Sequence, residues 1–316
     1  MHTLCTHEFG RLSADELGGH GRGSVFARLQ AYYAQGGQRF YELTGTGIRF
    51  KQYVGVLQLG NTTLEVYPKL KGADTTYPDA QWQQLLTHML RVCGHLPLHL
   101  STNAQLAESR LSLIDLFYMA YLNALEPLLH RGLTRQYRMV AANQKAYKGK
   151  LCVAAHLRHN LVHQERVYVR SQHYDHDHLL NHALRYALHL VHSHSLSPLV
   201  RSVAQRLLLM APPMETPVSL TTEQLDGIRL SRKTASHAEA LALARLIIRS
   251  VRPSMQQGQA PLIALMFDMN LLWESYVYHR LRRMGFAVRA QRQAAFWQEL
   301  GGHATHWHMY ADLVLF

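Results

Sequence analysis

The sequence predicts an α+β protein in three parts: a β-rich domain over residues 1–80, a mainly helical middle domain over 81–230, and a C-terminal α/β domain over 231–316. Three observations carry this. A period-two run with a hairpin signature fills residues 48–67, apolar residues recur at helical spacing from residue 81, and the period falls back to two after residue 285.

In the first part, Ile48-Arg49-Phe50-Lys51 alternates apolar with basic. Val54 to Leu59 and Thr62 to Tyr67 flank Gly60-Asn61 as two strands flank a two-residue turn. Pro68 ends the ladder because it has no amide hydrogen to donate. The run Gly18-Gly19-His20-Gly21-Arg22-Gly23 lacks the spacing of a dinucleotide loop and reads as a surface turn.

In the middle, Trp82, Leu85, Leu86, Met89 and Leu90 share a helical face that stops at Gly94. A second helix is expected from Leu111 to Arg131, with a kink at Pro127 and a stop at Gly132. Lys150 to Val153 and Arg166 to Val169 read as short strands. A third helix carries Leu180, Ala183, Leu184, Ala187, Leu188 and Val191, Pro198 opens a fourth, and residues 237–250 form a fifth. The proline- and threonine-rich stretch from Ala211 to Leu230 is the expected domain boundary. Beyond it, a helix is expected over Leu262 to Met284, with Leu265, Met269, Leu272, Trp273, Tyr276 and Leu281 inward and Gly285 as its stop. Phe286 to Ala290 and Thr305 to Phe316 have strand character.

The chain has 316 residues, 47% of them hydrophobic, enough to bury a substantial core. No apolar stretch is long enough to span a membrane and the start is not that of a signal peptide, so a cytoplasmic location and no membrane partner are expected. Cys5, Cys93 and Cys152 are odd in number and far apart, and are expected to be reduced. Lysine and arginine exceed aspartate and glutamate by 33 to 21, a formal charge of +12, which favours a polyanionic partner such as nucleic acid. From Pro127 to Gln164 no acidic residue occurs, while basic residues alternate with Tyr137 and Tyr147. Lys145, Lys148, Lys150 and Arg158 are therefore the expected DNA contacts, with Arg280, Arg282 and Arg283 as second choices.

Glu274, on the last long helix, and Asp312, in the last strand, are the candidate catalytic acids, with Asp312 as a metal ligand. Acids on separate elements suit magnesium, which takes one or two carboxylates and fills its shell with water and phosphate oxygens. The patch His173-Tyr174-Asp175-His176-Asp177-His178 has ligand types that suit zinc. Successive ligands in a short loop seldom converge, however, and structural use is expected. Gly149-Lys150-Leu151 is not a phosphate loop, since Gln144 and Leu151 stand where that motif needs glycine and serine or threonine.

Five stretches together resemble the McrC family. Val54-Gly55-Val56-Leu57-Gln58-Leu59-Gly60, followed by Leu64-Glu65-Val66-Tyr67-Pro68-Lys69-Leu70, looks like its N-terminal signature. Tyr147-Lys148-Gly149-Lys150-Leu151 with His156 and Asn160, then Tyr174-Asp175 with Leu180-Asn181, and then Met269 to Val277 follow in the family's order. Finally, Tyr310-Ala311-Asp312-Leu313-Val314-Leu315 is similar to the first half of its PD-(D/E)xK nuclease motif, with alanine in place of proline. The resemblance implies the opening of a restriction-endonuclease-like core with a C-terminal truncation, because the D/E-x-K half would lie past Phe316. Local disorder or aggregation is then expected beyond about residue 285, where a sheet edge would be uncovered. It also implies a subunit of a methylcytosine-dependent DNA restriction complex that docks through its β-rich region on an McrB-type AAA+ GTPase hexamer. That partner, not this chain, would bind GTP, and the nuclease would use Mg2+. The alternative is a non-catalytic DNA-binding and assembly module that keeps only the docking.

Overall fold

The computed structural model describes residues 2–21, 24–69, 79–96, 111–162, 165–214, 220–252, 261–297 and 307–315; of these, the side chains of 79, 80, 252, 290–297 and 307–315 are not described. The chain is α+β and divides into two compact units, one formed by Met1–Ala120 with Ser250–Phe316 and the other by Tyr121–Arg249. This differs from the three consecutive domains expected. The segment 211–230, expected as a boundary, lies inside the second unit, and residues 250–316 join the N-terminal ones.

The first unit is organised by a sheet of strands β1 (His2–His7), β6 (Thr62–Tyr67), β5 (Tyr53–Leu59), β11 (Leu262–Asp268) and β10 (Val251–Arg252), in that order. β1 pairs parallel to β6, and the other neighbours are antiparallel. The expected hairpin is present, with Leu59 opposite Thr62 across Gly60-Asn61. Val54, Val56, Leu57 and Leu59 are all buried, as befits a strand with neighbours on both edges and covered faces. A smaller sheet, β2 (Arg11–Ser13), β4 (Gly47–Phe50) and β3 (Tyr41–Thr44), shares a core with it that includes Leu12, Ile48, Phe50, Leu57 and Leu64. Onto that core the helix Val25–Tyr33 turns Phe26, Leu29 and Tyr32, its first turn held by Ser24, whose hydroxyl accepts the Ala27 amide at 3.1 Å.

The helix expected over Leu262–Met284 is two elements. Leu262–Asp268 is strand β11, with Ala264 opposite Leu57 and Met266 opposite Gly55, and the helix runs only from Met269 to Arg283. A short apolar run has no period of its own to separate strand from helix, and pairing with β5 decides the matter. Asp268 marks the change, accepting the amides of Asn270 at 3.0 Å and Leu271 at 3.5 Å. Met269 and Leu272 are buried as expected, but Trp273 is 46% exposed. The strands after the helix, β12 (Val288–Trp297) and β13 (Trp307–Leu315), pair antiparallel.

In the second unit the helix Leu179–His194 packs on the helix Pro198–Met210, whose first position is the proline. The helix Ala238–Ser250 falls where the periodicity puts it, and Arg245 donates to the carbonyls of Leu225 and Ile228 near the short helix Thr222–Gly227. A three-stranded sheet completes the unit, in the order β7 (Gln136–Gln144), β9 (Val167–Asp175), β8 (Lys150–Leu151). β7 was not foreseen, β9 extends well past Val169, and the strand expected to reach Val153 stops at Leu151, where the helix Val153–Asn160 takes over. The helix Leu113–Arg131 carries Pro127 within it and contributes residues to both units. No helix among the described residues is long and apolar enough to cross a membrane.

Candidate functional site

The four expected DNA contacts fall on one small module. Lys145 and Lys148 lie in the connection from β7 to β8, Lys150 opens β8, and Arg158 sits on the helix that follows; all four are exposed. Gly149 makes that connection possible. Its φ is +94°, and a Cβ there would stand 2.3 Å from the Arg170 carbonyl oxygen on β9, so only glycine lets the chain turn against the neighbouring strand. The stretch is thus a tight turn into a strand, not a loop feeding a helix, which agrees with its lack of phosphate-loop spacing. The helix is fastened at its far end by Asn160, which is buried and exchanges two hydrogen bonds with Asn143 on β7, at 2.7 and 2.8 Å.

β7 and β9 expose one of their faces. Tyr137 stands opposite Tyr174, Met139 opposite Gln172, and Ala141 opposite Arg170, which is also opposite Lys150 on β8. Every one of these side chains is exposed. The reading of charge alone missed Arg170. The sequence carries little signal for it, since apolar residues alternate only at Val167 and Val169, and the alternating exposure that runs on to Asp175 comes with the pairing to β7.

The histidine patch does structural work. Arg138 pairs with Asp175 at 3.1 Å and Asp177 at 2.5 Å, His182 bonds Asp177, and His178 Nε2 meets the Thr134 carbonyl at 2.8 Å. Asn181 Nδ2 donates to the carbonyls of Thr134 and His176, both at 2.9 Å. Burial pushes the His178 and His237 imidazoles below their ordinary range.

Glu274 is half-buried on the helix Met269–Arg283, and Asp312 belongs to β13, an element that packs against that helix. The Asp312 side chain lies outside the described residues. Among the described residues no three His, Cys, Asp or Glu side chains gather as a metal would require. Arg280, Arg282 and Arg283 are exposed in the helix's last turn, where cations complement the helix dipole, and Arg282 donates to the Tyr278 hydroxyl at 3.3 Å.

Against known proteins, residues 48–316 match the family model described as McrBC 5-methylcytosine restriction system component. The fold is similar to that of a chain in the cryo-EM structure of the Thermococcus gammatolerans McrBC complex, with TM-score 0.65 and 19% identity over 91% of this chain and 89% of that one. It is also similar to a chain of the refined half-complex from the tetradecameric assembly of Thermococcus gammatolerans McrB AAA+ hexamers with bound McrC, with TM-score 0.66 and 18% identity over 99% of this chain and 76% of that one. No curated protein matches the chain.

Proposed function

The chain belongs to the family of McrBC 5-methylcytosine restriction system components, and from that premise we propose that it is the McrC-like subunit of a modification-dependent DNA restriction complex. In this role it docks on an McrB-type AAA+ GTPase hexamer, stimulates GTP hydrolysis there, and brings an endonuclease domain to methylated DNA. The observation that carries the reading is the family match running from β4 to the end of the chain. The likeness of fold to a chain from an assembly described as McrB AAA+ hexamers with bound McrC supports the choice of subunit and partner.

Within this reading Glu274 and Asp312 would hold a magnesium ion, which supplies charge neutralisation at the scissile phosphate and an activated water. The chain's own contribution is to present the half-buried Glu274 on a helix whose last turn carries three arginines able to meet phosphates. We assign nucleotide chemistry to the partner; Gly149-Lys150, which lacks phosphate-loop spacing, is a glycine turn into strand β8.

Reconstitution with an McrB-type GTPase, GTP, Mg2+ and methylated duplex DNA tests the proposal. The expected result is stimulated GTP hydrolysis that survives Glu274→Gln, with cleavage that is lost in that variant once the D/E-x-K half of the motif is supplied. Stimulated GTP hydrolysis with no cleavage even when that half is supplied would favour the second reading, a docking and DNA-binding module without nuclease activity, which the exposed basic module motivates.

A further inference from the structure

The open face of the β7, β9, β8 sheet carries a second kind of site. Tyr137 and Tyr174 are directly opposite in register, their rings 4.6 Å apart between centroids and inclined by 37°. They are 69% and 55% exposed, and Met139 beside them is 61% exposed. Three large apolar side chains grouped on one solvent face depart from the scattered single exposures of an ordinary surface and mark an interaction site.

Charge identifies the occupant. Along the same face, four residues on from Tyr137 and four before Tyr174, Ala141, Arg170 and Lys150 form one row across the sheet, with both cations exposed. Lys145 and Lys148 adjoin this row in the β7 to β8 connection. The face positions of β7 and β9 from Tyr137 to Asn143 and from Tyr168 to Tyr174 include no acidic residue; Asp175 lies on the other face, paired with Arg138. Flat aromatic rings beside cations on an open sheet complement bases attached to phosphates, and the rings are accessible only to bases free of a duplex stack.

We propose that this face binds single-stranded DNA, with a base stacked on the Tyr137–Tyr174 pair and the backbone running past Arg170 and Lys150. The choice of DNA rests on the proposed restriction role, and the binding assay itself needs neither the partner GTPase nor the Glu274 nuclease.

The test is fluorescence anisotropy of a labelled oligothymidylate with the full chain, beside a duplex of equal length. Tyr137→Ala and Tyr174→Ala should each weaken oligothymidylate binding by about tenfold, while Tyr174→Phe, which keeps the ring, retains it. Arg170→Gln should flatten the dependence of log affinity on log salt by about 0.7. Circular dichroism confirms that each variant is folded. An oligothymidylate affinity unchanged by both alanine variants, or no binding by the unaltered chain, overturns the proposal. So does loss of partner GTPase stimulation in these variants with oligothymidylate binding intact, which would assign the face to protein docking.

Discussion

Glu65 Oε1 accepts the backbone amide of Leu113 at 2.9 Å, so that a carboxylate on β6 satisfies the first amide of the helix Leu113–Arg131. Glu65 is buried, and its other oxygen accepts the Tyr67 hydroxyl, whose own ionisation is pushed far up by burial and by the adjoining carboxylate. A charge at a helix N-terminus is stabilised by the dipole and the free amides there. Removing it leaves a buried amide and a buried hydroxyl short of an acceptor. Glu65→Ala should therefore cost about 2–3 kcal/mol in urea unfolding, and Glu65→Gln about 1 kcal/mol, because the amide oxygen keeps one bond.

Gly55 tests the pairing that joins the two ends of the chain. Its φ is +136°, and a Cβ would stand 2.1 Å from the Leu265 carbonyl oxygen of β11. Gly55→Ala should lower stability by roughly 2–4 kcal/mol, combining left-handed strain with a clash against backbone. The neighbouring Val54→Ala, a simple core truncation, should leave amide exchange in β11 slow, whereas Gly55→Ala should accelerate it.

The buried imidazoles set a pH dependence. His178 and His237 titrate below the ordinary value of 6.5 in the folded chain, each chiefly because of burial, and His237 further because His178 is near. The unfolded chain therefore takes up protons first as pH falls. The stability contributed by the neutral rings is complete above about pH 6.5 and is lost as pH falls below it, toward the lowered folded values. Thermal unfolding between about pH 7 and about pH 5 should show a falling midpoint, and His237→Gln should reduce the fall.

Lys148 measures DNA contact by the module. If it meets a phosphate, Lys148→Gln should flatten the plot of log affinity against log salt for duplex DNA by about one unit, with little dependence on sequence. An unchanged slope would make it one more solvated charge.

Much of this organisation was legible in the sequence where the pattern is local. The β5 to β6 hairpin, the helix opened by Pro198 and the helix ending at Ser250 follow from turn chemistry and apolar spacing alone. What long-range pairing decides was not. The run Leu262 to Phe267 is equally apolar as helix or strand until it meets β5, and Glu65 reads as a solvent-facing strand residue until the Leu113 amide reaches it. Family resemblance singled out Gly55 and Gly149, but the reason for each, a carbonyl oxygen of another strand where a Cβ would go, exists only in the folded chain. Charge counting found Lys145, Lys148, Lys150 and Arg158 and passed over Arg170, because the apolar alternation of β9 fades after Val169 and its exposed face is set by pairing with β7.

Docking is the claim on which the proposed role depends most heavily. Size-exclusion chromatography of the full chain with an McrB-type GTPase and a non-hydrolysable GTP analogue, followed by a GTP hydrolysis assay on the same preparation, measures it directly. The account predicts that the two co-elute and that hydrolysis by the hexamer rises when this chain is present. Separate elution with an unchanged hydrolysis rate, using a chain shown to be folded, would contradict it.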